Sequence, residues 1–275
     1  MVEKARLDVI LVNRGFFPSR EQARRAIMAG DVYVNEQREL KPGTQVPADA
    51  SIEVRETLPY VSRGGLKLAK ALDTFAVTAR NKVCLDVGAS TGGFTDCLLQ
   101  NGAQHVYAVD VGYGQLAWSL RKDPRVSVLE RTNIRHLTTE QAPPVELIVM
   151  DVSFISVQKV LPHLMPFLLP EGDLIVLVKP QFEAGREYVG KKGVVRDPEV
   201  HERVLRSTAA TAATLGLIVD GLTFSPITGP EGNIEFLMHL RHAVREPGRG
   251  DAVDVLIPQV VQEAHIILGG KTKAK

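Results

Sequence analysis

Apolar residues along this chain fall into two regimes. From residue 81 onward, short runs of Val, Leu, Ile and Ala are nearly continuous, and each is followed by a turn and a mixed stretch of helical spacing. Runs of that kind mark strands buried on both faces. They predict strands over 83–87, 105–110, 126–129, 147–150 and 174–178, alternating with helices, hence a parallel sheet covered on both sides. The ending differs. Residues 217–224 and 234–240 are two further apolar runs, joined by a Gly- and Pro-rich stretch with no room for a helix. They should pair as an antiparallel hairpin. A last amphipathic helix is predicted over 258–268, with Pro258 in its first turn, and the tail beyond it should fray.

Before residue 57 the pattern is shorter and mixed. A short helix is expected over 6–12, ending near Gly15. Ser19 should cap a second helix over 20–28, with Gln22 as its capping-box partner and Gly30 as its stop. Strands follow at Val32-Tyr-Val-Asn35 and near Ser51-Ile-Glu-Val54, which makes a small α+β module. The expected division is 1–57 for this module, 58–61 for a linker, 62–245 for the α/β domain and 246–275 for a C-terminal helix and tail. In the linker Pro59 disfavours helix just before it. Ser62 should then cap the helix that carries Lys67 and Lys70.

Composition changes this picture little. The chain has 275 residues, is 44% hydrophobic and 24% charged, and carries a net charge of +1, so any basic surface must be local. Cys84 and Cys97 sit in apolar contexts and are expected as buried thiols. No metal-ligand spacing is present. The N-terminal stretch lacks the apolar region of a signal peptide. No run approaches the roughly eighteen apolar residues of a membrane helix. A cytoplasmic protein with no membrane partner is expected.

The chemistry begins at Val83-Cys-Leu-Asp-Val-Gly-Ala-Ser-Thr-Gly-Gly-Phe94, a strand, a glycine turn and the start of a helix. Gly88, Gly92 and Gly93 would let backbone approach a ligand closely. Asp110 ends the next strand about twenty residues on, where such folds set an acid against ribose hydroxyls. This outlines a nucleoside-cofactor site. The turn is not Gly-x-Gly-x-x-Gly, which disfavours a pyrophosphate loop and NAD. Four charged residues also stand at strand ends or junctions: Lys67, Asp151, Lys179 and Glu235. Carboxyl ends of parallel strands converge on the ligand crevice, so Asp151 and Lys179 should face it. Taken singly, an Asp there is often a helix cap and a Lys often surface. Trp118 is read as core, and Phe154 as either core or a stacking surface for a flipped base.

Two resemblances sharpen this reading. The order Arg6-Leu-Asp, Arg14-Gly, Ser19-Arg, and Gly30-Asp-Val-Tyr-Val-Asn35 resembles the αL RNA-binding domain first known from a small-subunit ribosomal protein. The resemblance implies that a basic helix face contacts RNA phosphates. Arg20, Arg24 and Arg25 fall at helical spacing, with Arg14 nearby, although Glu21 also fits a merely solvated face. Arg6 and Arg63 complete the candidate RNA contacts.

Residues 4–242 resemble the TlyA-type rRNA 2′-O-methyltransferases, historically termed hemolysin A and related to FtsJ-like enzymes. The matching segments include Val61-Ser-Arg-Gly-Gly-Leu-Lys67, Asp110-Val-Gly-Tyr-Gly-Gln-Leu-Ala-Trp118, Leu129-Glu-Arg-Thr-Asn133, Asp151-Val-Ser-Phe-Ile-Ser156, Val178-Lys-Pro-Gln-Phe-Glu183 and Gly232-Asn-Ile-Glu-Phe236. The resemblance implies a class I, Rossmann-like methyltransferase sheet, S-adenosylmethionine as cofactor, and a catalytic tetrad falling on Lys67, Asp151, Lys179 and Glu235. It implies ribosomal RNA or ribosomal subunits as partners and a cytidine ribose as target. For the cofactor, backbone around Gly88, Ala89 and Gly92 is expected to cradle the amino-acid end, with Ser90 and Thr91 adding hydroxyls and Asp110 holding the ribose. Asp86 either binds the methionine amine or orients the loop. Asn133 either lies near the adenine or caps a loop. The competing readings are a non-catalytic RNA-binding or assembly factor and a cytolysin; the intact charged set weighs against the first, and the missing secretion signal against the second.

Overall fold

A computed structural model describes residues 4–54, 59–243 and 252–269. The chain divides into two compact units, Met1–Pro59 and Tyr60–Lys275. Residues 55–57 of the expected module, Leu58 of the expected linker, and 246–251 and 270–275 of the expected C-terminal segment lie outside the described residues.

The first unit runs β1 (Lys4–Arg6), α1 (Leu7–Asn13), α2 (Arg20–Ala29), β2 (Val32–Val34), β3 (Gln37–Arg38), β4 (Gln45–Pro47) and β5 (Ile52–Val54). β1 pairs antiparallel with β4, and β2 lies between β3 and β5. Ser19 Oγ accepts the Gln22 N–H at 3.3 Å, so the expected cap forms. Gly30 ends α2 in the left-handed region, at φ 82°. A side chain there would collide with the Arg38 guanidinium, whose Nε donates to the Gly30 carbonyl at 2.7 Å. Leu7, Leu11, Ile27 and Val32 are fully buried at the centre of this unit.

The second unit runs α3 (Gly64–Thr74), β6 (Val83–Val87), α4 (Gly93–Gln100), β7 (His105–Val109), α5 (Trp118–Arg121), β8 (Val126–Leu129), β9 (Val145–Met150), α6 (Val157–Val160), β10 (Leu168–Val178), α7 (Pro180–Glu183), α8 (Pro198–Thr214), β11 (Leu217–Phe224), β12 (Phe236–His242) and α9 (Ala252–Gly269). Its seven-stranded sheet has the order β11-β12-β10-β9-β6-β7-β8. The strands from β6 to β10 run parallel to one another, and β12 enters antiparallel between β10 and β11.

The near-continuous apolar runs are explained by two cores. Leu174, Val176 and Val178 of β10 face one core, with Val204, Leu205, Val261 and Ala264 from α8 and α9. Ile175 and Leu177 face the other, with Leu68 and Leu72 of α3 and Phe94 and Leu98 of α4. Alternation therefore sorts side chains between two dry faces rather than between core and water.

Three local expectations are corrected. Trp118 opens α5 and is 69% exposed, with the Lys122 ammonium over its ring; the turn buries Leu116 and Leu120 in its place. β10 begins at Leu168, six residues before the expected Leu174, and reaches its main register through an irregularity between Leu168 and Asp173. Pro258 lies inside α9 rather than in its first turn. The helix continues through the proline because Ile257, Val260, Val261 and Leu268 are buried on either side of it. Cys84 and Cys97 are both buried free thiols, and burial pushes each up to about 12. Among the described residues no helix is long and apolar enough to cross a membrane.

Candidate active site

The carboxyl ends of β6, β9 and β10 open onto a cleft with two limbs. One limb, a cavity of about 470 Å³, is lined by Arg63, Lys67, Ala89, Thr91, Asp151, Lys179 and Gly229 among others. The second, about 430 Å³, is lined by Val109, Asp110, Asn133, Ile134, Val152 and Ile155 among others. Gly88, Ser90, Asp151 and Ser153 border both.

The four charged residues resolve into two ion pairs. Lys67 Nζ lies 2.5 Å from Glu235 Oε2, and Lys179 Nζ lies 2.6 Å from Asp151 Oδ1. Lys67 and Lys179 are each 8% exposed, and Glu235 is fully buried. Pairing is what permits such burial, since an isolated charge there would carry a large desolvation penalty. Glu235 is held by its neighbours as well: its backbone carbonyl accepts the Ser225 N–H at 2.8 Å, and a side chain at Gly229 would collide with its carboxylate.

Two residues that the sequence reading passed over complete the geometry. Ser153 Oγ accepts from Lys179 Nζ at 2.8 Å. Glu183, one turn beyond Lys179, accepts the Ser156 hydroxyl at 2.7 Å and the Val157 N–H at 2.6 Å. Both lie inside the segments that carry the family resemblance, but neither stands at a strand end. Phe154 is 91% exposed, has φ +64°, and its ring centroid is 5.2 Å from that of Phe182. Its core alternative is thus overturned.

The glycine turn also serves packing. A side chain on Gly88 would meet the Asp151 carbonyl at 2.5 Å, so this glycine lets the ends of β6 and β9 approach. Gly92, at φ +96°, makes room for Leu116 and Leu120 and lines neither limb. Gly93 faces Ser62 and the backbone of Gly64 and Gly65, where α3 crosses α4. Ser62 Oγ accepts the Gly64 N–H at 3.3 Å, but the N-cap of α3 is Arg63, with no side-chain capping bond, so the cap expected of Ser62 is corrected to a contact one residue before it. Ala89, Ser90 and Thr91 do border the first limb.

Asp86 is fully buried and accepts the Thr95 hydroxyl at 2.6 Å, so of its two expected roles the structure supports loop orientation. Burial, with Asp151 and Asp110 adding to it, pushes its carboxyl up to about 7. Asp110 accepts the Ser90 N–H at 2.8 Å and the Gly112 N–H at 2.6 Å, bracing the turn while facing the apolar limb. Asn133 both accepts the Arg135 N–H at 3.1 Å and lines that limb.

In the first unit the arginines divide. Arg14 donates to the carbonyls of Ala48 and Ala50 and is a structural tie, not a free contact. Arg6 and Arg20 both reach Asp8 at 3.0 Å, and the two of them hold its buried carboxyl down at about 2. Arg24 is exposed, and the Arg25 side chain lies outside the described residues. Arg63, in the second unit, donates to the Thr228 carbonyl at 2.9 Å.

Residues 60–242 match the family model of the FtsJ-like methyltransferases, and residues 5–52 that of the S4 domain. The chain belongs to the FtsJ-like methyltransferase family. It is 55% identical to a Bacillus subtilis protein, YqxC, named as a candidate rRNA methyltransferase, over 98% of this chain and 97% of that one. It is 47% identical to the Mycobacterium tuberculosis 16S/23S rRNA (cytidine-2′-O)-methyltransferase TlyA, over 92% of this chain and 97% of that one. A solved Streptococcus thermophilus structure described as a hemolysin shares 44% identity and covers 100% of both chains, with a TM-score of 0.76.

Proposed function

We propose that this protein methylates the ribose 2′-hydroxyl of a cytidine in ribosomal RNA, using S-adenosylmethionine. The observation that carries the proposal is the placing of two lysine–carboxylate pairs, one buried and one partly buried, beside a cleft whose second limb is apolar and has a carboxylate at its edge. That cleft fits the cofactor. Val109, Ile134, Val152 and Ile155 suit an adenine face, Asp110 suits ribose hydroxyls, and the 89–91 turn suits the amino-acid end. When bound, S-adenosylmethionine supplies a methyl carbon that is electrophilic because it sits on a sulfonium.

The protein's part is to position a weak nucleophile and manage its proton. Lys179, held beside Asp151, orients the ribose hydroxyl and meets the charge that develops on its oxygen. Lys67, held by Glu235, faces the same limb and holds the ribose or its phosphate. Phe154 offers an exposed ring, backed by Phe182, on which a base drawn out of its helix stacks. The 1–57 module is the RNA-binding part. There the exposed Arg24 is a phosphate contact, and Arg6 and Arg20, both held by Asp8, are further candidate contacts.

The test is tritiated methyl transfer from S-adenosylmethionine to unmodified ribosomal subunits, wild type against Lys179→Ala. Incorporation that maps to a ribose and needs Lys179 supports the proposal. S-adenosylmethionine binding without transfer to any ribosomal RNA would remove the substrate from it. No binding would remove the cofactor as well.

A further inference from the structure

We infer that Ser153 is a positioning residue for Lys179, aiming its ammonium into the cleft. The inference rests on the proposed function for the role of Lys179, but its geometry stands by itself.

A lysine side chain is long and rotamer-rich, and its ammonium has three equivalent donors. A reacting lysine must be held in one orientation. The contact with Asp151 is a close charge contact, 2.6 Å from Nζ to Oδ1, but Asp151 Oδ1 receives no directed hydrogen bond. A charge contact of that kind fixes the distance of the ammonium more than its direction. The directed bond is the one from Nζ to Ser153 Oγ, at 2.8 Å. A hydroxyl does this without a second negative charge beside Lys179, which would bind the proton more firmly.

Ser153 is set on a stiff segment. The residue after it, Phe154, holds φ +64°, a conformation that a non-glycine residue keeps only when its surroundings impose it. Before it, the Asp151–Val152 backbone lies so close to β6 that only glycine fits at Gly88. After it, Glu183 grips Ser156 and Val157. Ser153 is also exposed and borders both limbs of the cleft, so no packing role accounts for it. A plain surface serine at this place would be replaceable without effect.

The experiment compares full-length wild type, Ser153→Ala and Ser153→Thr, with ribosomal subunits as acceptor. Ser153 is exposed, and Thr keeps the hydroxyl. The expected result for Ser153→Ala is a kcat lowered about tenfold, the loss of one hydrogen bond to a charged group. KM for RNA, S-adenosylmethionine affinity and Tm should stay at wild-type values, and Ser153→Thr should recover most of the rate. A wild-type kcat in Ser153→Ala, or a Ser153→Thr as slow as Ser153→Ala, would overturn the inference. So would a loss explained by weaker S-adenosylmethionine binding. A second readout needs no RNA: the rate at which a small acylating reagent labels Lys179, followed by mass spectrometry. Faster labelling in Ser153→Ala supports the positioning role even if no ribosomal RNA is methylated, an outcome that would count against the proposed function alone. Unchanged labelling counts against Ser153.

Discussion

The Glu183 carboxylate accepts the Ser156 hydroxyl at 2.7 Å across 27 residues of sequence, and so clasps the segment after Asp151 to the segment after Lys179. The same carboxylate takes the Val157 N–H and so satisfies a free donor at the start of α6. Together with the Asp151–Lys179 pair, the Ser153–Lys179 bond and the Phe154–Phe182 contact, this joins two strand-end motifs residue by residue.

Glu183→Ala should loosen that clasp without touching either ion pair. The expected loss is about 1–3 kcal/mol of stability, because Val157 N–H and Ser156 lose a charged partner. kcat should fall more than S-adenosylmethionine affinity. Urea unfolding and steady-state methyl transfer measure the two effects; an unchanged kcat would show that α7 is only a scaffold.

Gly88→Ala tests the close approach of β6 and β9. Its φ is +87°, and the new methyl would meet the Asp151 carbonyl at 2.5 Å. Strain and backbone displacement should destabilise by about 2–4 kcal/mol and displace Asp151. A lowered Tm with lost transfer activity is expected. A Tm within a degree of wild type would contradict the packing described.

The Lys67–Glu235 pair should be costly to break but not to replace. Glu235→Ala leaves a buried ammonium unpaired and should destabilise by about 3–5 kcal/mol. The double variant Lys67→Met with Glu235→Leu should recover most of that stability while remaining inactive. Calorimetry and methyl transfer on the same samples check both halves.

Asp86 predicts a pH dependence of stability. Burial raises its folded carboxyl to about 7, while an unfolded one titrates near its ordinary value of 3.8. Between those values the folded state retains a proton that the unfolded state has released. The Asp86 contribution therefore falls as pH rises from about 4 to about 7 and is level above that. Asp86→Asn should gain stability relative to wild type across that window, by roughly 4 kcal/mol at most. Chemical unfolding at pH 5 and pH 8 measures this; a constant difference would mean that Asp86 is ionised throughout.

In the first unit, Arg24→Ala and Arg14→Ala should part company. Arg24→Ala should weaken RNA binding and lower the salt slope by about one, with Tm unchanged. Arg14→Ala loses its bonds to the Ala48 and Ala50 carbonyls and should lower Tm instead. Filter binding over a salt series, with a thermal melt of each variant, distinguishes the two.

Periodicity by itself determined the strands of the α/β unit, the antiparallel ending and the capped helix from Ser19 to Gly30, because spacing and caps act between residues a few positions apart. The strand ends also brought Asp151 and Lys179 forward, since carboxyl ends in a parallel sheet face one crevice, whereas Lys67 and Glu235 joined them as a set only through the family resemblance. Tertiary structure alone decided how those four pair. Lys67 and Glu235 are 168 residues apart, and only the insertion of β12 beside β10 brings them together. The same holds for Ser153 and Glu183, which become legible once Lys179 and α6 are in place. It holds too for Arg14, whose carbonyl partners lie on a distant turn, and for Trp118, left outside because Leu116 and Leu120 already fill the space over Gly92. Local pattern reports which face of an element is apolar; which distant residue fills the space against it follows from strand order and packing.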